Sequence, residues 1–310
     1  MKNTQVIQLM SIVRLSIFML GITMMSCNSK KEQQLPAIGK SVALFDYFSY
    51  KGNDDFYISN PLSDEDYFYN PILPGWYSDP SVCTNGEGDY FLVTSTFTYF
   101  PGVPIFHSKD LVNWKQIGHV LNRASQLVNM EGQKVSGGIF APAISYNPYN
   151  KTYYMVTINV GAGNFFVKTQ DPFGEWSEPV MLPEVGGIDP SFFFDEDGKA
   201  YIVNNDEAPD NKPEYSGHRT IRIQEFDVKT DKTVGPRKIL VNKGAQPADK
   251  PIWIEGPHLY KINGKYFLMS AEGGTGNWHS EVIFRGDSPM GKFLPWKNNP
   301  ILTQRHLNSD

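Results

Sequence analysis

Three acidic residues open three similar stretches of the chain. They are Asp79 in Trp76-Tyr77-Ser78-Asp79-Pro80-Ser81, Asp189 in Gly187-Ile188-Asp189-Pro190-Ser191, and Glu255 in Trp253-Ile254-Glu255-Gly256-Pro257-His258. Each precedes an apolar, strand-like run, and two are followed directly by proline. In a repeat fold whose strands begin around one axis, such residues would converge from distant parts of the chain. Three convergent carboxyl groups are suited to acid–base cleavage of a glycosidic bond, where one carboxylate deprotonates water and one carboxylic acid protonates the leaving oxygen. The competing reading is structural, because strand-opening carboxylates also cap turns or give oxygen ligands to a cation. The other acidic clusters, Asp54-Asp55, Asp64-Glu65-Asp66 and Asp195-Glu196-Asp197, read as solvated turns.

The elements that must position these residues form a repeat. Four units open at Asp79-Pro80, Ala141-Pro142, Asp189-Pro190 and Glu255-Gly256-Pro257. Each passes through a Gly/Asn-rich turn at 85–88, 147–150, 195–198 or 262–265 into an aromatic strand starting at Tyr90, Tyr153, Tyr201 or Tyr266. A second turn recurs at Ser108–Trp114 and Thr169–Trp176, with a weaker echo at Gly286–Phe293, and predicts Trp114 and Trp176 as core between units. About four strands per unit, with no sustained helical periodicity, predicts an all-β propeller and excludes α/β and TIM-barrel folds. Proline biases the preceding Asp79 and Asp189 toward extended backbone and is tolerated where a strand starts. The first strand of each blade lines the channel, so side chains at strand openings meet at one mouth. Seven residues follow Thr303, too few for another blade: either four units close the ring or the chain lacks its end.

The 310 residues, 40% of them hydrophobic, can bury a substantial core. A net charge of −5 without a basic cluster gives no footprint for nucleic acid, while 14% aromatics fits β packing and sugar stacking alike. At the N-terminus, the positively charged Lys2 and Arg14 precede a stretch from Leu15 to Met25, apolar apart from Ser16 and Thr23, that Ser26-Cys27 closes. Residues 1–27 read as a lipoprotein-type signal peptide ending at the lipidation site Cys27, although Met24-Met25 matches the usual pattern imperfectly. Residues 28–68 then form a tether and N-terminal extension, polar at Asn28–Gln34. The expected location is outside the cytoplasm, as a bacterial cell-envelope lipoprotein touching the membrane only through its lipid. Cys83 then lacks a partner and is expected as a small buried apolar residue.

From about Tyr69 to Thr303 the ordered motifs resemble glycoside hydrolase family 43. Those motifs are Asn70–Ser81, Ser95–Ile105, Gly138-Ile139-Phe140-Ala141-Pro142, Gly187–Ser191, Glu255–Tyr260, Ala271–Gly276 and Asn299-Pro300-Ile301-Leu302-Thr303. The resemblance implies a five-bladed propeller of which about four blades are present, with 69–310 a C-terminally incomplete catalytic domain. It implies Asp79 as general base, Asp189 as the residue that orients the acid and modulates its pKa, and Glu255 as general acid, with Phe97 and Phe140 as substrate-binding aromatics. Phe140 stands where many members have tryptophan.

The implied activity is release of terminal xylose, or arabinofuranose, from hemicellulose oligosaccharides with inversion, β-1,4-xylosidase first. The alternatives are α-L-arabinofuranosidase or endo-arabinanase and, from another class, an inactive truncated propeller with at most weak sugar binding. No cofactor is required. The family's channel histidine, at times a metal or calcium site, falls on a fifth-blade segment without a counterpart here, so no metal ligand is assigned. His258 and His279 read as structural, since no metal-ligand spacing links them. The loop Asn204–Gly217 carries unassigned acidic residues of the kind that shape selectivity.

Overall fold

The computed structural model describes residues 55–63 and 66–307 of the chain. The expected signal segment with Cys27 and most of the tether lie outside the described residues. Chain contacts divide the protein into two units, 1–61 and 62–310. In the first, the described structure is a short helix, α1 (Asp55–Ser59), which carries Asp55 in its first turn, where a carboxylate complements the helix dipole. Asn60 closes it by donating both its backbone N–H and its side-chain amide to the Phe56 carbonyl, each at 2.9 Å.

The second unit is four antiparallel meanders. The first is β1 (Ser81–Thr84), β2 (Tyr90–Val93), β3 (Gly102–Ser108) and β4 (Lys115–Leu121). The second is β5 (Ile139–Asn147), β6 (Thr152–Asn159), β7 (Gly163–Thr169) and β8 (Val180–Met181). The third is β9 (Ile188–Phe194), β10 (Ala200–Glu207), β11 (Arg219–Asp227) and β12 (Lys232–Asn242). The fourth is β13 (Glu255–Ile262), β14 (Lys265–Glu272), β15 (Ser280–Gly286) and β16 (Leu294–Pro295), with β17 (Leu302–Thr303) also paired to β15. Every hairpin expected from the Gly/Asn turns is present. The tightest is Asn263-Gly264, both at positive φ, which matches the twist of β13 and β14.

These sheets are the blades of a propeller, and β1, β5, β9 and β13 pack against one another in succession. Period-two alternation sends each strand's side chains to two different neighbours. On β6, Tyr153 and Met155 join Phe91, Val93 and Ile105 of the first blade, while Tyr154 and Val156 join Phe192 and Ile202 of the third. All eight residues of β6 are therefore buried. On β10 the same division sends Ile202 toward the second blade and Tyr201 and Val203 toward Leu259 and Leu268 of the fourth. Aromatic rings fill these seams edge to face, as in Phe166 against Phe226 at 5.6 Å and 90°.

The structure corrects four local expectations. Trp176 is 3% exposed within the seam of blades one and two, but Trp114 is half-exposed and donates its indole N–H to the Leu111 carbonyl at 2.9 Å. Cys83 is half-buried rather than buried, packing beside the same seam. Residues 204–207 belong to β10, so the expected loop begins only after Glu207. Asp195 is no solvated turn residue. It is 2% exposed and accepts from Lys261 Nζ at 2.8 Å and the Tyr266 hydroxyl at 2.6 Å, clasping blades three and four. Burial alone would raise its pKa, but these hydrogen bonds outweigh burial and lower it.

Asp195→Ala leaves the Tyr266 hydroxyl without its acceptor in that seam and Lys261 with Glu196 alone at 3.0 Å, and urea denaturation is expected to read a loss of about 2 kcal/mol. Unchanged stability would mean the clasp is ornamental.

Candidate active site

Each innermost strand begins with the same irregularity. In the second blade Phe140 pairs Ile158 and Ala143 pairs Val156, so Ala141 and Pro142 stand opposite Thr157 alone. In the third, Ile188 pairs Asn205 and Ser191 pairs Val203, leaving Asp189 and Pro190 opposite Asn204. In the fourth, Glu255 pairs Ala271 and His258 pairs Met269, leaving Gly256 and Pro257 opposite Ser270. The first blade follows suit: the Ser95 N–H donates to the Ser78 carbonyl and Ser81 pairs Val93, with Asp79 and Pro80 between. Two residues facing one make a β-bulge, which bends a strand and re-aims its side chains.

The residue before each proline is left-handed, with φ of 52° at Asp79, 37° at Ala141, 54° at Asp189 and 55° at Gly256. The expected extended backbone at Asp79 and Asp189 is therefore wrong. The bulge needs a turn at that point, and aspartate tolerates the left-handed region better than most residues. Glu255 is also not the counterpart of the two aspartates. Gly256 is, and Glu255 fills the preceding slot, held by Ser78, Phe140 and Ile188 in the other blades.

The bulges bring all three carboxyls into one cavity of about 720 Å³, lined from every blade by residues that include Asp79, Ala141, Asp189, Glu255 and His258. Their settings differ. Asp79 is exposed, Glu255 half-buried, and Asp189 only 8% exposed. The Ala141 N–H donates to Ser95 Oγ at 2.7 Å, leaving the hydroxyl proton for Asp79 Oδ2, so Ser95 fixes the orientation of that carboxylate. Asp189 Oδ2 accepts the Gly256 N–H at 2.9 Å, joining it to the peptide that follows Glu255.

The electrostatics follow from these settings. Burial pushes Asp189 up to about 7, aided by the charges of Glu255 and Asp79 and opposed by the Gly256 N–H. Burial also pushes Glu255 up to about 7, with Asp79 adding repulsion and the Arg219 guanidinium opposing it. One half-buried carboxyl thus keeps a proton near neutrality, and Asp79 lies exposed in the same cavity. A proton-holding carboxyl beside a second, solvent-exposed one suits paired acid and base catalysis.

Phe97 and Phe140 do not line this cavity. They meet edge to face at 5.5 Å where Phe97 and Ile139 exchange backbone hydrogen bonds, next to the lining residue Ala141. Trp76 stacks on Phe97 at 5.6 Å. His258 and His279 both line the cavity, and burial pushes His258 down to about 4, keeping it neutral. The sequence reading missed Ser95 in its polar role, Arg219, and Glu281, a fourth carboxyl in the cavity that burial raises to about 7. Ser95 could have been found as the strand residue paired with Ser78 across the first hairpin. Nothing local marks the other two. Among the described residues, no group of three or more His, Cys, Asp or Glu side chains is gathered as a metal site would require.

Asp189 is held protonated by the fold while the unfolded chain ionises near 3.8, so this group makes stability fall as pH rises from about 4 to about 7. Asp189→Asn keeps an acceptor for Gly256 and removes the charge. Its melting temperature should exceed the parent's at pH 8 and match it near pH 4; equal values at pH 8 would show that Asp189 carries no such penalty.

The model of the glycosyl hydrolases family 43 matches residues 68–310. A xylosidase/arabinosidase of Butyrivibrio fibrisolvens is 48% identical over 244 residues, covering 78% of this chain and 46% of that protein. A non-reducing end α-L-arabinofuranosidase of Bacteroides ovatus is 42% identical over 243 residues, covering 76% of this chain and 42% of that one. The crystal structure of a GH43_12 protein retrieved from a capybara gut metagenome superposes with a TM-score of 0.78 at 55% identity, over 83% of this chain and 48% of its own. The chain spans about half the length of the curated relatives it matches. With its four propeller blades and this run of matched residues, the chain belongs to glycosyl hydrolases family 43.

Proposed function

We propose that the cavity hydrolyses the glycosidic bond of a terminal xylose, or arabinofuranose, in hemicellulose oligosaccharides, with inversion at the anomeric carbon. The observation that carries this reading is the convergence of an exposed, a half-buried and a buried carboxyl from three blades in one cavity. Asp79, oriented by Ser95, takes a proton from water as that water attacks the anomeric carbon. Glu255 gives its proton to the glycosidic oxygen as the bond to it breaks, so charge balances across the step. Asp189 holds the peptide after Glu255 through the Gly256 N–H, while burial and the charge of Asp79 keep the acid protonated. Phe97 and Phe140 supply an apolar wall beside the cavity for the sugar face.

Xylose comes first because a Bacillus subtilis relative, 40% identical, is named a β-xylosidase and the Butyrivibrio relative's name, xylosidase/arabinosidase, includes it. The Bacteroides relative's name keeps arabinofuranose as the second substrate. The chemistry uses only side-chain protons and water, so no cofactor is required and turnover should survive EDTA. We further propose that the protein is exported and held in the cell envelope by lipid on Cys27. Cys27→Ser should release it from the membrane fraction, and continued retention would reject the anchor.

Asp79→Ala and Glu255→Ala should each lower kcat/KM on xylobiose by at least about a thousandfold; near-parental turnover by either rejects the assignment. Glu255 acts in its protonated form, so activity should fall as pH rises through an apparent value near 7 that belongs to the coupled Asp189 and Glu255 pair. Asp189→Asn should move that limb to lower pH. Proton NMR should detect the α-anomer first when xylobiose is cleaved.

A further inference from the structure

Two residues before Glu255, Trp253 adopts the left-handed conformation with φ of 56°. The corresponding place in the second blade, two residues before Phe140, is Gly138 with φ of 80°. Glycine suits that backbone at no cost, whereas a bulky side chain there is strained. The tryptophan is thus tolerated for its ring rather than for its backbone.

The ring lies beside the cavity, next to residues that line it. Ile254 is fully buried, whereas its neighbours reach solvent, Trp253 at 39% exposure and Glu255 half-buried. Two hairpin ends hold the segment: the Trp253 N–H donates to the Gly217 carbonyl at 2.8 Å, and the Gly273 N–H donates to the Ile252 carbonyl at 2.9 Å. Arg219 lies over the indole with its guanidinium carbon 5.2 Å from the ring centre, and Glu207 anchors the guanidinium by an ion pair. A side chain at Gly217 would strike Ile252 at 2.7 Å and crowd the indole nitrogen, so glycine leaves this edge clear. Gly274 meets the ring from the other hairpin, and its neighbours Thr275 and Gly276 already line the cavity. Trp253 therefore stands just outside the lining, between Glu255 on its own strand and the Thr275-Gly276 edge of the cavity.

We propose that Trp253, backed by Arg219, is the wall against which the leaving-group sugar packs. The proposal rests on the reading of Glu255 as the acid, because a proton donor stands on the side of the glycosidic oxygen and hence of the departing ring. The ligand class is a pyranose such as the second xylose of xylobiose, whose axial C–H face packs on an indole while its rim hydroxyls remain in water. The Arg219 guanidinium on the ring also fixes the indole's orientation.

The test compares xylobiose with methyl β-D-xyloside. Both have a poor leaving group that needs the acid, but only xylobiose has a second ring to pack. Trp253→Ala should lower the ratio of kcat/KM for xylobiose to that for methyl xyloside about tenfold, and Trp253→Phe should restore most of it. Equal losses on both substrates would make Trp253 a mere support for Glu255 and overturn the proposal. Calorimetric titration with xylobiose of Glu255→Ala, with and without Trp253→Ala, reads the wall without turnover. About tenfold weaker binding in the double variant is expected, and equal affinity, or no binding by either, overturns it. A parent protein that binds xylobiose in the Trp253-dependent way but cleaves neither substrate would reject the hydrolase reading while leaving the wall standing.

Discussion

The site depends on a backbone that does not run straight. At the start of every innermost strand, two residues face one across the ladder and the first of them is left-handed. A residue other than glycine in that region costs on the order of 1–3 kcal/mol, so the turn persists only where its surroundings leave no alternative. The cross-blade hydrogen bonds supply that constraint. Ser191 donates to the Pro257 carbonyl at 2.5 Å, Asn205 to the Ile254 carbonyl at 2.6 Å, and the Ile144 N–H donates to Ser81 at 3.1 Å. Without the bulge, Asp79 and Asp189 would follow the pleat into the faces of their own sheets. With it, they turn toward the channel.

The seams between blades make this geometry rigid enough to hold like charges together. Blades meet chiefly through interlocked aromatic and aliphatic faces, and among the described residues the one isolated backbone bridge between sheets is that of Phe97 with Ile139. Such packing is dense and resists relaxation, so Asp189 cannot escape its burial by moving toward water. Its raised pKa and that of Glu255 are consequences of seam packing as much as of local chemistry. The same logic at the opposite end of blades three and four gives the contrary result. There Asp195, also shielded from solvent, has Lys261 and Tyr266 as partners and is lowered. Partners as well as depth decide the sign.

Several features were legible along the chain. The hairpins could be read because a Gly/Asn turn between aromatic strands is local chemistry, and the blade count because four such units recur. The errors share a cause. Proline's steric rule describes a dipeptide in isolation and was overridden at Asp79 and Asp189 by a bulge set by the neighbouring strand. Glu255 was aligned one slot away from its structural place because sequence similarity cannot see a ladder register. Asp195 read as a turn residue because its two partners lie more than sixty positions away. Trp114 and Trp176 matched in sequence, yet only Trp176 is gripped between two blades.

The sequence by itself determined the strand and turn pattern, the four-fold repeat and the identities of the three carboxyls, since each is written within a dozen or so neighbouring residues. Only the tertiary structure decided that Asp189 is buried while Asp79 is exposed, that Ser95 orients Asp79, and that Trp253 and Arg219 stand beside Glu255. Those relations join residues from different hairpins or different blades. Their energies depend on distance and desolvation, which exist only after the seams have closed.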